Sequence, residues 1–422
     1  MSEMRAVPSS RLQARLRPLQ IGVALQGLML WVPVEKLFMN QIGFTAASVG
    51  VMAAAYAAVT PLLEVPSGIL ADRWSRRGVL VLSAVALFAC TLIGGLSTSV
   101  PLYIVAAMIL GVYFAMYSGT VESVVYDLVL EETGSGDGYP RQIGRIRAIE
   151  SAALVVSSLA GGWLAGLVDA RVTYFATLPF AALSVLAYVR FDEPRLNRAA
   201  PREPLGRHVA LTLRTVTERG ALLPVVILGA LTALIAQVVF EFGPLWLVAL
   251  AAPAVLYGPY WAGLVSTLGV GGLLAERVQL NRPSVAAVFV AIMVAAGTVL
   301  TVSSSLPVVI AAQVVLALLI AVAGIHVSTL VNDAVPSEIR AGVVSGVSTL
   351  SWIGFLPFAL VFGWLTKESG TGVSGWMITV TAAVAGALLI MMAVRAARSP
   401  RTRGARCETT LVGAVDSCRT PQ

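Results

Sequence analysis

Five carboxylates sit inside long apolar stretches of this chain: Glu35, Glu64, Glu122, Glu150 and Glu241. A charged side chain in hydrocarbon is costly, so such residues face a cavity or a partner. Burial favours the neutral form of a carboxyl group, which lets it take up a proton on one side of a membrane and release it on the other. Proton coupling or substrate contact is the chemistry open to these five. The plainer alternatives are buried ion pairs and positions at the lipid–water edge. Glu35 and Glu241 stand 206 positions apart at equivalent places, toward the outer ends of their stretches. Lys36 is the only lysine within such a stretch and is available to neutralise one of them. Arg145 and Arg147 are available to pair with Glu122 or Glu150, and Glu64 shares a helical face with Gly68 one turn later.

A second set of residues offers hydrogen bonds and aromatic faces: Gln26, Trp31, Tyr113, Tyr117, Gln237, Gln313 and His326. These are candidates to line a substrate cavity, with packing as the alternative for each; His326 reads more readily as a hydrogen-bonded packing residue than as a proton relay. Tyr113 and Tyr117, four apart, share a face. Trp246, Tyr257, Tyr260 and Trp261 cluster at the outer interface and read as an aromatic belt. Other chemistries fail. No Gly-x-x-x-x-Gly-Lys-Ser/Thr loop exists, so ATP is not the direct energy source. Gly269-Val-Gly-Gly lacks the context of a dinucleotide site. Three scattered cysteines (Cys90, Cys407, Cys418) and two histidines (His208, His326) give no disulfide framework and no metal-ligand spacing. No nucleophile elbow is present, so the chain is not expected to be an enzyme, and no cofactor is expected; the energy source would be a proton gradient.

These residues need a scaffold, and composition names its solvent. The 422 residues are 57% hydrophobic and 12% charged, with a mean hydropathy of +0.85. That much apolar surface needs lipid around it. A crossing takes roughly 20 apolar residues, and twelve stretches qualify: 18–39, 47–71, 79–97, 101–126, 142–167, 172–190, 220–249, 254–275, 284–303, 306–331, 341–365 and 374–395. The first is too long for a cleaved leader and is expected to remain as a span. An even count puts both termini on one side. The net charge of +7 comes from arginines that punctuate the spans rather than from a nucleic-acid face. Arg5 to Arg17, Arg73 to Arg77, Arg141 to Arg147, Arg190 to Arg219, Arg277, Arg282, Arg340 and Arg395 to Arg406 all fall on the terminal side, against Arg171 and Lys367 opposite. Positive residues stay inside, so both termini are expected in the cytoplasm of a plasma (inner) membrane.

The chain also repeats itself. Gly68-Ile-Leu-Ala-Asp72-Arg73 returns 204 positions later as Gly272-Leu-Leu-Ala-Glu276-Arg277, and Tyr126-Asp127 is echoed by Asn332-Asp333. A duplicated six-helix unit follows. The expected organisation is a cytoplasmic N terminus (1–17), an N-terminal six-helix bundle (18–190), a Pro- and Arg-rich linker (191–219), a C-terminal six-helix bundle (220–396) and a disordered cytoplasmic tail (397–422). Gly162-x-x-x-Gly166 reads as helix packing.

The run Gly68-Ile-Leu-Ala-Asp72-Arg73-Trp-Ser-Arg76-Arg77 resembles the signature loop of the major facilitator superfamily, with Ser75 where the family usually has Gly. The resemblance implies an all-α membrane protein of twelve helices in two pseudo-symmetric bundles. It also implies a conformational clasp of Gly68, Asp72, Arg73, Arg76 and Asp127. In that clasp Gly68 permits close helix approach, Asp72 faces the N-terminus of the eleventh span, and Arg76 pairs with Asp127. Glu64-Val-Pro-Ser-Gly68 and Ser118-Gly-Thr-Val-Glu122-Ser-Val-Val-Tyr126-Asp127 are similar to a bacterial drug-efflux, proton-antiporter branch. Two of that branch's features are missing: an Arg before Gly111, and Gly-Pro-x-x-Gly-Gly where this chain reads Ser157-Ser-Leu-Ala-Gly161-Gly162. The expected function is proton-coupled export of small amphipathic, neutral or cationic compounds such as antibiotics. The rivals are import of a sugar or other metabolite and, remotely, a non-transporting sensor. Expected partners are the small-molecule substrate, protons and lipid, with no nucleic acid and the chain a monomer.

Overall fold

The computed structural model of the chain describes residues 9–136, 138–194, 223–334 and 340–398. The expected linker beyond Pro194 and the expected tail beyond Arg398 lie outside the described residues. Every regular element among the described residues is helical.

The first crossing is built from α1 (Ser9–Gly27), a single 3-10 turn (Val32–Val34) and α2 (Glu35–Gln41). It is followed by α3 (Ala46–Arg73), α4 (Arg76–Leu96), α5 (Val100–Thr133), α6 (Tyr139–Leu167) and α7 (Ala170–Val189). The second half repeats the plan. Its first crossing is again broken, into α8 (Leu223–Phe242) and α9 (Pro244–Ala249), before α10 (Ala254–Ala275), α11 (Pro283–Val302), α12 (Leu306–Ala334) and α13 (Arg340–Arg398). Helix ends are written in the sequence. Thr45 and Ser48 form a reciprocal capping box on α3, and Ser75 and Asp169 cap α4 and α7. Pro101, Pro140 and Pro283 sit in first turns, where a missing N–H removes nothing.

Among the described residues, ten segments are long and apolar enough to cross a membrane. The last covers 52 residues, roughly 78 Å of helix against a hydrocarbon core of about 30 Å. It is broken at Gly370, whose φ of 84° no helix permits, so α13 makes two crossings. The remaining crossing is α10, whose apolarity is diluted by Tyr257, Pro259, Tyr260 and Trp261 and which packs between α6 and α12. Twelve crossings in two six-helix bundles result.

The halves meet through two pseudo-equivalent pairs, α3 with α13 and α6 with α10. Both contacts are glycine on glycine. A Cβ on Gly50 would lie 2.4 Å from the Ala359 carbonyl oxygen, and one on Gly363 would lie 2.6 Å from that of Ala46. A Cβ on Gly162 would lie 2.4 Å from the Gly258 nitrogen, and one on Gly258 would lie 2.6 Å from the Ser158 carbonyl oxygen. Both pairs lie at the end of the molecule away from the arginine-rich face. Backbones brought that close leave no passage there.

The duplication extends to the turns. After α2, the Phe44 N–H donates to the Met39 carbonyl at 2.9 Å across Gly43, whose φ is 91°. After α9, the Ala252 N–H donates to the Leu247 carbonyl at 2.9 Å across Ala251, whose φ is 51°. The same left-handed cap ends both short helices.

Candidate functional site

The site begins where the first span breaks. Pro33 cannot continue a helix, and the chain leaves α1 at Gly27 to restart at Glu35. The exposed backbone is satisfied by neighbours: Ser157 Oγ donates to the Gly27 carbonyl at 3.1 Å, and the Leu30 N–H donates to Thr177 Oγ1 at 3.1 Å. Gly161 makes room, since a Cβ there would fall 1.9 Å from the Leu30 carbonyl oxygen. In the second half the break falls at Gly243–Pro244, where Gln313 Nε2 donates to the Gly243 carbonyl at 3.2 Å and Gln313 Oε1 accepts from Tyr260. Each break leaves an acid beside it, Glu35 opening α2 and Glu241 closing α8.

Between the halves lies a cavity of about 600 Å³. Its wall from the first half carries Gln26, Trp31, Glu35, Tyr56, Tyr113, Arg147 and Glu150; the opposite wall carries Gln237, Phe240, Glu241, Trp261, Trp352 and Phe355. Among the described residues, Gln26 Nε2, Trp31 Nε1 and Gln237 Oε1 are buried without a hydrogen-bond partner. Buried polar atoms left unpaired cost stability, and these three belong to residues of the cavity wall. A second, almost wholly apolar hollow of about 390 Å³ lies in the second half, against α8, α10, α12 and α13. It shares Phe240 and Leu268 with the central cavity.

Two ion clusters flank the cavity. At the sealed end, Lys36 Nζ donates to Glu35 Oε2 at 2.7 Å and to Glu241 Oε1 at 2.6 Å, joining the halves. Tyr103 donates to Glu35 Oε1 at 3.0 Å, and Trp31 stacks on Tyr174 at 5.1 Å. Toward the arginine-rich face, Arg147 bridges Glu122 at 2.8 Å and Glu150 at 3.0 Å, and Tyr117 donates to Glu150 at 3.1 Å. Glu122 and Arg147 are about half exposed. Exposed pairs of this kind contribute about 0–1 kcal/mol, so the pair can open at little loss.

A third cluster belongs to the signature loop. Arg76 pairs with Asp127 and is itself the first residue of α4, where its N–H donates to Glu193 Oε1 at 2.7 Å. Ser75 Oγ donates to Glu193 Oε2 at 2.7 Å. The Glu193 carboxylate therefore sits on the positive N-terminus of α4, tying the end of α7 to the loop. The side chains of Asp72 and Glu64 lie outside the described residues, and Arg73 is exposed at the end of α3.

The sequence profile of the Major Facilitator Superfamily matches residues 19–356. The chain belongs to that superfamily. Multidrug resistance protein 1 of Bacillus subtilis (strain 168) is 26% identical over 177 residues, which are 42% of this chain and 44% of that protein. The matched stretch is thus less than half of that relative. Among solved structures, the bacterial homologue of the human lysosomal transporter Spinster, inward-facing and unoccupied, superposes with a TM-score of 0.73 at 17% identity, covering 93% of this chain and 98% of the other. The nucleoside transporter NupG gives 0.73 at 13% identity, covering 92% and 99%. At such identities these likenesses show the superfamily fold.

Several sequence expectations need correction against this geometry. Among the described residues nothing lies within 4 Å of a Cβ built on Gly68, and the side chains of the neighbour expected of it, at the start of the eleventh span, lie outside the described residues; Gly50 makes a close contact at the other end of α3. Gln313 does not line the cavity: it is 1% exposed and holds the break of α8. His326 is half-buried on α12 and lines neither hollow. Tyr117 stands behind Glu150, and Glu122 sits at the mouth rather than in the wall. Arg145 pairs with no acid among the described residues and donates to Gln13 at 2.7 Å. Trp246, Tyr257 and Tyr260 are no lipid belt, being 2%, 0% and 2% exposed, and Trp261 faces the cavity. Trp246 packs on Phe362 and donates to the Leu300 carbonyl, and Tyr260 donates to Gln313, all inside the second half. Sequence reasoning missed Tyr56, Phe240, Trp352 and Phe355 as wall residues. The usable signals were Pro33 and Gly243–Pro244, which mark the span breaks around which the wall is arranged.

Proposed function

We propose that this superfamily member is a secondary active exporter that moves small amphipathic, neutral or cationic compounds out of the cell in exchange for protons. The observation that carries the reading is the division of the cavity wall. Glu35, Glu150, Arg147 and Gln26 stand on the first half, while in the second Gln237 and Glu241 are set among Phe240, Trp261, Trp352 and Phe355. An amphipathic molecule can satisfy both at once. Glu35, Glu150 and Glu241 face this space and are the groups placed to trade a proton for a cation; Glu64 and Glu122 remain candidates on the path toward the arginine-rich face. That face is cytoplasmic by the distribution of Arg and Lys, in the plasma membrane. With the glycine seams closing both helix pairs at the opposite end, we read the cavity as one reached from the inside. The Bacillus relative's name agrees with this direction.

The test is accumulation of a fluorescent cationic dye in pump-deficient cells expressing the chain, with and without a protonophore. Dye should be lower in expressing cells, and the protonophore should abolish the difference. Unchanged accumulation in a well-expressed protein would remove this substrate class. The three unpaired polar atoms of Gln26, Trp31 and Gln237 would then favour uptake of a hydroxyl-rich metabolite, checked by growth on single nutrients.

A further inference from the structure

Lys36 occupies an unusual position. Its two acids, Glu35 and Glu241, line the central cavity. Lys36 itself lines a different hollow of about 310 Å³ on the outer side, with Asn40, Thr45, Thr366, Lys367 and Thr371. The ion triad is thus the septum between cavity and outer hollow, and its members come from both halves, Glu35 and Lys36 from α2 and Glu241 from α8. One cation serves two acids, so with both ionised the septum carries a net negative charge. Lys36 is 3% exposed, while Glu35 and Glu241 are 17% and 21% exposed.

The surroundings leave few groups to adjust that charge. Tyr56 of α3, Cys90 of α4, Tyr103 of α5 and Tyr174 of α7 surround the triad's acids, Lys367 of α13 shares the outer hollow with Lys36, and Arg171 of α7 lies over the neighbouring Phe38 ring. None is a carboxylate. Within the triad a positive charge arriving from the cavity can therefore settle on Glu35 or Glu241, with Glu150 the further carboxylate of the same cavity wall. Once it does, the triad is no longer short of cation, and Lys36 loses the partner that holds one half to the other. Its long stem reaches toward the outer hollow, where water, Asn40 and the threonine hydroxyls can solvate the ammonium.

We infer that Lys36 is the movable counter-ion of the outer gate: it fastens the halves while it holds both carboxylates, and a positive charge delivered to either one from the cavity releases it. The inference rests on the alternating-access part of the proposed function and not on the choice of substrate. Two sources can deliver the charge, a proton or a cationic compound.

The test uses the full chain with its three cysteines replaced by serine and a reporter Val32→Cys in the cavity wall. It is reconstituted in sealed vesicles with the termini inside, and labelled by a membrane-impermeant maleimide added outside. The parent should label slowly at pH 8. Lys36→Met should label faster by roughly tenfold or more, the change expected when a closed state loses one strong contact. The exchanged pair Lys36→Glu with Glu241→Lys, which rebuilds a cross-half contact, should return labelling toward the slow rate and so exclude misfolding as the cause. In separate arms, acidification without any compound and an aromatic cation at constant pH 8 identify the source of charge, and acceleration in either supports the release. Parent-like labelling of Lys36→Met, or acceleration in neither arm, overturns the inference. Because labelling needs no transported compound, a failed dye-export assay would sink the proposed substrate class and leave this result readable.

Discussion

The two halves share a plan but not a chemistry. In the first, Glu35, Lys36, Glu122, Arg147 and Glu150 are gathered into two ion clusters at the ends of the cavity. In the second, Glu241 stands alone, and behind it lies a hollow whose polar lining side chains are Thr232 and Ser328. The breaks differ too. The first is held by the hydroxyls of Ser157 and Thr177 with its backbone pressed against Gly161, the second by the Gln313 amide, to which Tyr260 donates. A duplicated scaffold has thus kept its geometry while one copy holds most of the charge and the other most of the apolar surface. The proposed function accordingly gives coupling and substrate fit to different walls.

That division can be broken at graded cost. The largest effect is expected at Gly161→Val, which drives carbon into the Leu30 carbonyl. It should destabilise the protein by about 3 kcal/mol or more, read as loss of the folded peak in detergent. Gln313→Leu, which removes the partner of the Gly243 carbonyl in the second half, should lose less, about 1–3 kcal/mol. Equal damage at both sites would mean the two breaks are held alike. Next comes Glu150→Gln, expected to reduce proton-driven export by about tenfold or more, a change of ~1.4 kcal/mol, with protein level unchanged. If the walls are specialised, Gly324→Leu in the apolar hollow should leave the protonophore sensitivity intact and shift preference toward smaller compounds. Loss of proton dependence in that variant would contradict the division. The smallest effect is expected at Ala251→Gly. It relieves a positive φ that Gly43 already accommodates in the other half, and should stabilise the protein by about 0.5–1 kcal/mol, seen as a higher Tm.

The fold was legible because its signals are one-dimensional. Span length, arginine punctuation and the Gly68/Gly272 echo are all properties of the string, and they give twelve crossings in two bundles directly. Pairing of Arg76 with Asp127 was legible through the signature loop's resemblance. Most of the site was not. Nothing in spacing says that Lys36 serves Glu241 across the seam, or that Arg147 rather than Arg145 serves both Glu122 and Glu150. Aromatic residues near the end of a span look alike whether lipid or a neighbouring helix covers them. Tyr260 is buried because its hydroxyl reaches Gln313 and Gly243 inside the second half, a fact of packing rather than of sequence.

Those glycine seams also set the leverage of the molecule. Gly50 lies near the start of the 28-residue α3, leaving about 35 Å of rigid rod beyond the contact. A rotation of about 10° around such a pivot sweeps the far end through roughly 6 Å, enough to pass a flat aromatic ring. The pivot itself presents bare backbone, with no side chains to unlock. A small angular change at one end is thereby converted into a doorway at the other.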